Sequence, residues 1–122
     1  MATINSQRQG GMTASVDCTA KQYFLVGISG DRTVAPIAVA GAMAMGVVAN
    51  KPAVGQACSI LIGPEIKVVL GATLAAGAKY SASATGTAQA AITGQNILGQ
   101  LVEGGPIGAI VSATFEPQGL AP

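Results

Sequence analysis

Short runs of apolar residues, separated by turn-forming residues, make up most of this chain. The runs at residues 22–29, 57–62 and 65–70 are eight, six and six residues long, which is the length of a strand rather than of a helix. Gly30-Asp31 follows the first run, and Gly63-Pro64 lies between the other two. The pattern therefore predicts three strands and a tight turn at Gly63-Pro64.

The second half of the chain predicts two β-hairpins. The first hairpin has strands at residues 79–82 and 87–92, joined by a turn at Thr85-Gly86. The second has strands at residues 97–103 and 107–116, joined by a turn at Gly104-Gly105-Pro106. Residues 72–78, which precede the first hairpin, are compatible with a short helical turn. Strands of this length with glycine-rich turns are typical of small barrels and sandwiches.

Residues 37–47 alternate between large and small side chains, with a possible break at Gly41. The odd positions are Ile37, Val39, Gly41, Met43, Met45 and Val47, and the even positions are Ala38, Ala40, Ala42, Ala44 and Gly46. A period of two is the period of a strand, so the segment predicts a strand with one bulky and one small face. A face of alanines requires close approach by another sheet or another subunit. We therefore predict an oligomer interface at Ala40, Ala42 and Ala44.

Taken together, the elements predict an all-β fold, a small Gly/Ala-rich β-barrel or sandwich. The 122 residues suit one hydrophobic core. Residues 1–12 are polar, end in Gly10-Gly11 next to Met12, and predict a flexible N-terminal arm. Residues 13–117 form the predicted β-rich domain, and residues 118–122 a short tail.

Composition excludes several classes of function. The chain has no histidine, which excludes a Ser-His-Asp triad and the common zinc sites. Charged residues are 9% of the chain, against roughly a quarter in ordinary soluble domains, and the net charge is +1. We therefore expect no enzyme, no catalytic residue, no metal, no cofactor and no nucleic-acid partner. Either an assembly hides this uncharged surface, or Ser, Thr, Asn and Gln cover it in a monomer.

The two cysteines and the apolar segments point to a folded core rather than a membrane. Cys18 and Cys58 are interpreted as small buried side chains, because a secreted disulfide scaffold carries more cysteines. The longest run without polar residues, 34–49, falls short of the ~20 residues of a spanning helix and contains Pro36. Residues 1–11 lack the apolar segment of a secretory signal. We expect no membrane association.

An ordered series of segments between residues 46 and 115 resembles a known family. The series is Val47-Val48, Pro52-Ala53-Val54-Gly55, Ala57–Ile62, Gly63-Pro64-Glu65-Ile66, Leu74–Tyr80, Ala84-Thr85-Gly86 and Asn96–Glu103, followed by a glycine-rich turn and a last strand. It is similar to that of the small decoration, or cement, proteins of tailed-phage heads. The resemblance covers over half of the chain and rests on turns and small residues.

The resemblance implies a β-rich, trimeric virion protein on the outer capsid surface, where it bridges and stabilises subunits of the major capsid protein. Assembly in the host cytoplasm, a reducing compartment, implies that Cys18 and Cys58 are free thiols. N-terminal arms of this family often contact the capsid, which implies capsid contacts along the arm. The predicted contact residues are Thr3, Ile4, Asn5 and Arg8, of which Ile4 favours a strand and Arg8 offers a bidentate donor.

The main alternative is a non-enzymatic β-barrel module that binds a peptide or a carbohydrate. Carbohydrate sites favour exposed aromatic rings and carboxylates. The chain has only two tyrosines, two phenylalanines and five acidic residues, so this alternative ranks second.

Overall fold

The computed structural model of the protein describes residues 7–9 and 11–121. Within these residues the chain forms twelve β-strands and no helix. The strands are β1 (Gln7–Gln9), β2 (Thr13–Ala14), β3 (Leu25–Gly30), β4 (Thr33–Pro36), β5 (Gly46–Val48), β6 (Ile60–Val69), β7 (Lys79–Ala82), β8 (Ala88–Ala90), β9 (Asn96–Ile97), β10 (Gly99–Gln100), β11 (Ile110–Phe115) and β12 (Gly119–Leu120). The predicted all-β fold is confirmed.

The strands form one large sheet and two small ones. The large sheet has the order β1-β6-β5-β3-β4-β2, with β11 also paired to β6, and it curls into a half-barrel. The order β10-β7-β8 makes a three-stranded sheet, and β12 pairs with β9. All strand pairs are antiparallel except β2 with β4. Strand β6 is the longest and pairs with three strands, β1, β5 and β11, so the large sheet is organised around it.

Two hydrophobic clusters share the central strands. Leu25 of β3 and Val47 of β5 belong to the larger cluster, with Tyr80, Leu98 and Phe115. The residues that follow the first two in sequence, Val26 and Val48, belong to the smaller cluster with Met12, Cys18 and Cys58. Because successive side chains of a strand point to opposite faces, β3 and β5 separate the two clusters and contribute to both.

The predicted turn at Gly63-Pro64 is wrong, because β6 continues through it. Gly63 has a φ of +110°. The register against β11 shifts at the same place, between Ala113 and Phe115. A β-bulge of this kind accepts both a positive φ and a proline without a backbone N–H. The Gly63-Pro64 pair therefore lies at an irregularity within β6 and does not end the strand.

The predicted strand over residues 37–47 is wrong except at Gly46 and Val47, which begin β5. Residues 39–41 form a turn, in which the backbone N–H of Ala42 donates to the carbonyl of Val39 at 3.2 Å. Gly41 has a φ of +79°. Its N–H donates to the carbonyl of Ala82 on β7 at 2.8 Å. The chain is thus diverted towards the small sheet and cannot continue as an extended strand.

The second half of the chain confirms one predicted hairpin and changes the other. β7 and β8 form the hairpin around Thr85-Gly86. The predicted strand 97–103 is divided between β9 and β10, which pair with β12 and β7 respectively, and only Leu101 bridges to Ala113 of β11. Residues 72–78 contain a turn closed by Ala78 N–H and Ala75 C=O at 3.2 Å, and no helical turn.

Short strands lie within both predicted terminal segments. Gln7–Gln9 pair with Ile60–Ile62, and Met12 is 6% exposed, so the sheet and core begin within the predicted arm. Gly119–Leu120 form β12, so the predicted tail also joins a sheet. The predicted capsid contacts Thr3, Ile4 and Asn5 lie outside the described residues. Arg8 lies within β1, where its backbone is opposite Leu61.

Candidate functional site

Four exposed aliphatic side chains come from segments of the chain that contain no charged residue. The segments are residues 33–50, 80–102 and 117–121, and none contains an Asp, Glu, Lys or Arg. The four side chains are Val39 (68%), Met43 (49%), Ile92 (62%) and Leu120 (64%). We call these four residues the neutral face.

Asn96 and Gln95 connect the segments of the neutral face. The backbone N–H and the Nδ2 of Asn96 both donate to the carbonyl of Gly41, at 3.0 and 2.9 Å. The Oε1 of Gln95 accepts hydrogen bonds from Ser81 Oγ at 2.9 Å and from the N–H of Ile92 at 3.2 Å. Gln89 Nε2 donates to the same oxygen at 3.2 Å. This polar network fixes the loop around Gly41 against the small sheet.

The C-terminal segment completes the neutral face. Leu120 lies opposite Asn96 in the β12–β9 pair. The N–H of Ala121 donates to the carbonyl of Gln95 at 2.8 Å, and the N–H of Gly94 donates to the carbonyl of Ala121 at 3.0 Å. Leu120 and Ile92 are therefore held on the same part of the surface, next to the turn at Gly41.

A second group of exposed aliphatic residues lies on the loops beside β11. It consists of Val102 (55% exposed), Ile107 (68%) and Ile110 (53%), which we call the tip face. Leu74 and Gly105 exchange backbone hydrogen bonds at 3.1 and 2.9 Å, which fastens the loops to each other. Glu103 is the one charged residue between Lys79 and Glu116 in the sequence.

The Glu103 carboxylate has a structural partner. Its Oε1 accepts a hydrogen bond from the backbone N–H of Ser112 at 3.0 Å. The backbone N–H of Val102 donates to the carbonyl of Ser112 at 2.9 Å. These two bonds hold the loop that carries Val102 against β11.

The alanines predicted as an oligomer interface do not share a face. Ala40 is exposed in the turn, Ala42 is half-buried against the larger core cluster, and Ala44 is buried within the protomer at 4% exposure. The exposed apolar area belongs instead to Val39 and Met43, at odd positions of the alternation. The interface itself stays a prediction, since the structure holds one copy of the chain.

The titratable side chains offer little further chemistry. Cys18 and Cys58 are free thiols, as predicted, and both are buried. Burial raises the pKa of each thiol.

In the described part of the chain, no three His, Cys, Asp or Glu side chains gather as metal ligands would. Nor does it contain a helix long and apolar enough to cross a membrane.

Comparison with known proteins bears on the fold. The chain is similar in fold to a phage head-fiber base. The match is to the structure of the N base of head fiber gp8.5 in bacteriophage phi29, with a TM-score of 0.73 and 16% sequence identity. It covers 95% of this chain and 98% of that one. The fold likeness agrees with the resemblance to phage head proteins that the sequence shows.

No protein-family model matches the sequence, and no curated protein matches it either.

Proposed function

We propose that the protein is a structural component of a phage virion, which decorates the outer surface of the head and bridges neighbouring major capsid subunits. The observation that carries this proposal is the fold likeness to a head-fiber base over nearly the whole length of both chains. The order of segments from residue 46 to residue 115 supports the same assignment.

The surface of the molecule supports a role in assembly. Aliphatic side chains that are 49–68% exposed gain stability when a partner covers them, at about 25 cal/mol for each Å² removed from water. The centres of protein interfaces are depleted of charged residues, as the neutral face is. A role as a capsid clamp uses such surfaces directly and requires no catalytic group or cofactor.

Different parts of the chain take different contacts in this proposal. The N-terminal arm, with Thr3, Ile4, Asn5 and Arg8, contacts the major capsid protein. Because β1 already pairs with β6, an arm that adds to a capsid sheet would use residues before Gln7. The neutral face, whose Val39 and Met43 flank Ala40 and Ala42 in the sequence, joins copies of the protein into a homotrimer.

Co-sedimentation with undecorated phage heads tests the arm contact. Deletion of residues 2–6 leaves β1 in place, so we expect an unchanged melting temperature. We expect at least tenfold weaker binding to the heads, about 1.4 kcal/mol. A full-length protein that does not pellet with the heads would contradict the decoration proposal. Equal affinities of the two forms would contradict the arm contact alone.

A further inference from the structure

A turn at residues 75–78 holds Leu101 by two backbone hydrogen bonds. The N–H of Ala78 closes the turn on the carbonyl of Ala75 at 3.2 Å, and Gly77 has a φ of +85° at the third position. The N–H of Gly77 donates to the carbonyl of Leu101 at 2.8 Å. The N–H of Leu101 donates in return to the carbonyl of Ala78 at 2.9 Å. We call such a pair of bonds a clamp.

A turn at residues 106–109 holds Leu70 by the same kind of clamp. The N–H of Ala109 closes this turn on the carbonyl of Pro106 at 3.1 Å, and Gly108 has a φ of +87°. The N–H of Gly108 donates to the carbonyl of Leu70 at 2.7 Å, and the N–H of Leu70 donates to the carbonyl of Ala109 at 2.9 Å. Each clamp lies where a strand pair ends, β7 with β10 for the first and β6 with β11 for the second.

The two clamps repeat each other with an exchange of partners. Leu70 and Leu101 are 31 positions apart in the sequence, and so are Leu74 and Gly105. Each of the first two is held by the turn that follows the other, and the last two exchange two backbone hydrogen bonds. Because contacts that are reciprocal in this way mark a two-fold relation, the two loops face each other about an approximate two-fold axis. We call residues 70–78 and 101–109 the loop pair.

We propose that the loop pair is one cooperative unit, in which both loops open together or not at all. Six backbone hydrogen bonds join the loops, four in the clamps and two between Leu74 and Gly105. Separation of the loops breaks all six, and it also brings Leu70 and Leu101, which are 1% and 2% exposed, into water. A unit of this kind opens below the free energy of global unfolding.

The unit connects part of the tip face to a second loop. Val102 and Ile107 lie in residues 101–109, which the two clamps join to residues 70–78. A contact that orders one member of a cooperative unit also orders the other, because both leave the same open state. A contact at Val102 and Ile107 should therefore slow opening at residues 70–78 as well.

The turn around Gly55 makes the same clamp outside the loop pair, and it supplies a matched control. The N–H of Gln56 closes this turn on the carbonyl of Ala53 at 3.0 Å, and Gly55 has a φ of +82°. The N–H of Gly55 donates to the carbonyl of Ala14 at 2.8 Å, and the N–H of Ala14 donates to the carbonyl of Gln56 at 3.0 Å. A β-carbon at Gly55 or Gly108 would have none of the surrounding atoms within 4 Å, so alanine carries a similar backbone cost at both.

Native-state hydrogen exchange, measured for each amide by NMR, tests the proposal. In wild type the four clamp amides should share one opening equilibrium within about threefold, and they should open more readily than the amide of Val48. The Val48 N–H donates to the carbonyl of Phe24 within the large sheet and reports global unfolding. The clamp amides are those of Leu70, Gly77, Leu101 and Gly108.

Two alanine variants separate cooperative opening from independent fraying. Gly108→Ala should accelerate exchange roughly 5- to 30-fold at Gly77 and Leu101, in the clamp that it does not touch, as much as at Leu70. Gly55→Ala should leave these three amides within about twofold of wild type. Acceleration at Leu70 alone would show that each clamp opens with its own strand pair, and it would overturn the proposal. If Gly108→Ala does not fold, unequal opening equilibria among the four wild-type amides, or equilibria equal to that of global unfolding, overturn it by themselves.

Discussion

The hydroxyl of Tyr80 donates a hydrogen bond to the main-chain carbonyl of Thr114 at 2.7 Å. Tyr80 lies on β7 of the three-stranded sheet and Thr114 on β11 of the large sheet, so this bond joins the two sheets inside the core. The side chain is 0% exposed. Burial raises the pKa of Tyr80, which keeps its phenol protonated and able to donate.

Removal of this hydroxyl should lower the stability of the fold. We expect Tyr80→Phe to reduce the free energy of unfolding by about 1–2 kcal/mol, since the carbonyl of Thr114 loses its donor in a low-dielectric interior. Urea unfolding measures the difference. Tyr23→Phe, at a half-buried position, is the control and should change stability by less than about 0.5 kcal/mol. Equal losses of stability in the two variants would contradict a stabilising role for the hydrogen bond from Tyr80 to Thr114.

Gly41 should tolerate a side chain less well than Gly77. The two glycines have similar positive φ values, +79° and +85°, so alanine is strained at both. A β-carbon at Gly41 would lie 2.5 Å from Cγ of Gln95, whereas none of the surrounding atoms comes within 4 Å at Gly77. We expect Gly77→Ala to cost about 1 kcal/mol and Gly41→Ala about 2–3 kcal/mol in unfolding experiments. A smaller cost at Gly41 would show that the loop is not held against Gln95.

The two buried thiols make stability depend on alkaline pH. Their pKa values are raised in the folded state, so the unfolded chain loses its thiol protons first. The stabilisation is complete below the ordinary thiol pKa of 9.0 and is lost as the pH rises through the folded-state values. Urea unfolding at about pH 7, 9 and 10 should show this decline in wild type. The double variant Cys18→Ala/Cys58→Ala should show a shallower decline, and an equally steep one would exclude the thiols as its cause.

Ala40 and Ala44 should respond to glutamate in opposite ways, although both are at even positions of the alternation. Ala44→Glu buries a charge at a position that is 4% exposed, so we expect loss of at least about 3 kcal/mol of stability. Ala40→Glu, in the exposed turn, should leave stability within about 0.5 kcal/mol and weaken self-association. Thermal melts together with sedimentation distinguish the two outcomes. A stable, dissociated Ala44→Glu protein would restore the alanine face as the interface.

Local signals predicted the local elements of the fold. The β7–β8 hairpin follows from two short runs around Thr85-Gly86, because hairpin pairing depends on neighbouring residues. The pairing of β6 with β11 joins Ile66 to Ala113, 47 residues apart, and no local pattern encodes which strands meet. The prediction of a turn at Gly63-Pro64 was wrong because a bulge and a turn use the same residue types, and the local sequence does not distinguish them.

The contact surface was predictable in kind but not in position. The low charge of the chain indicated a surface that an assembly covers. Which residues form it depends on the bond from Asn96 to Gly41, which spans 55 positions in sequence and diverts the predicted strand into a loop. In that loop Val39 and Met43 are exposed and Ala44 is buried, the reverse of the predicted arrangement for these residues.

Cryo-electron microscopy of phage heads tests the central claim most directly. Undecorated heads incubated with the purified protein should show additional density at symmetry-related positions on the outer surface, and the β-rich domain should fit that density with contacts to more than one capsid subunit. Heads without added protein provide the reference map. Maps that are identical with and without the protein would contradict its assignment as a capsid decoration protein.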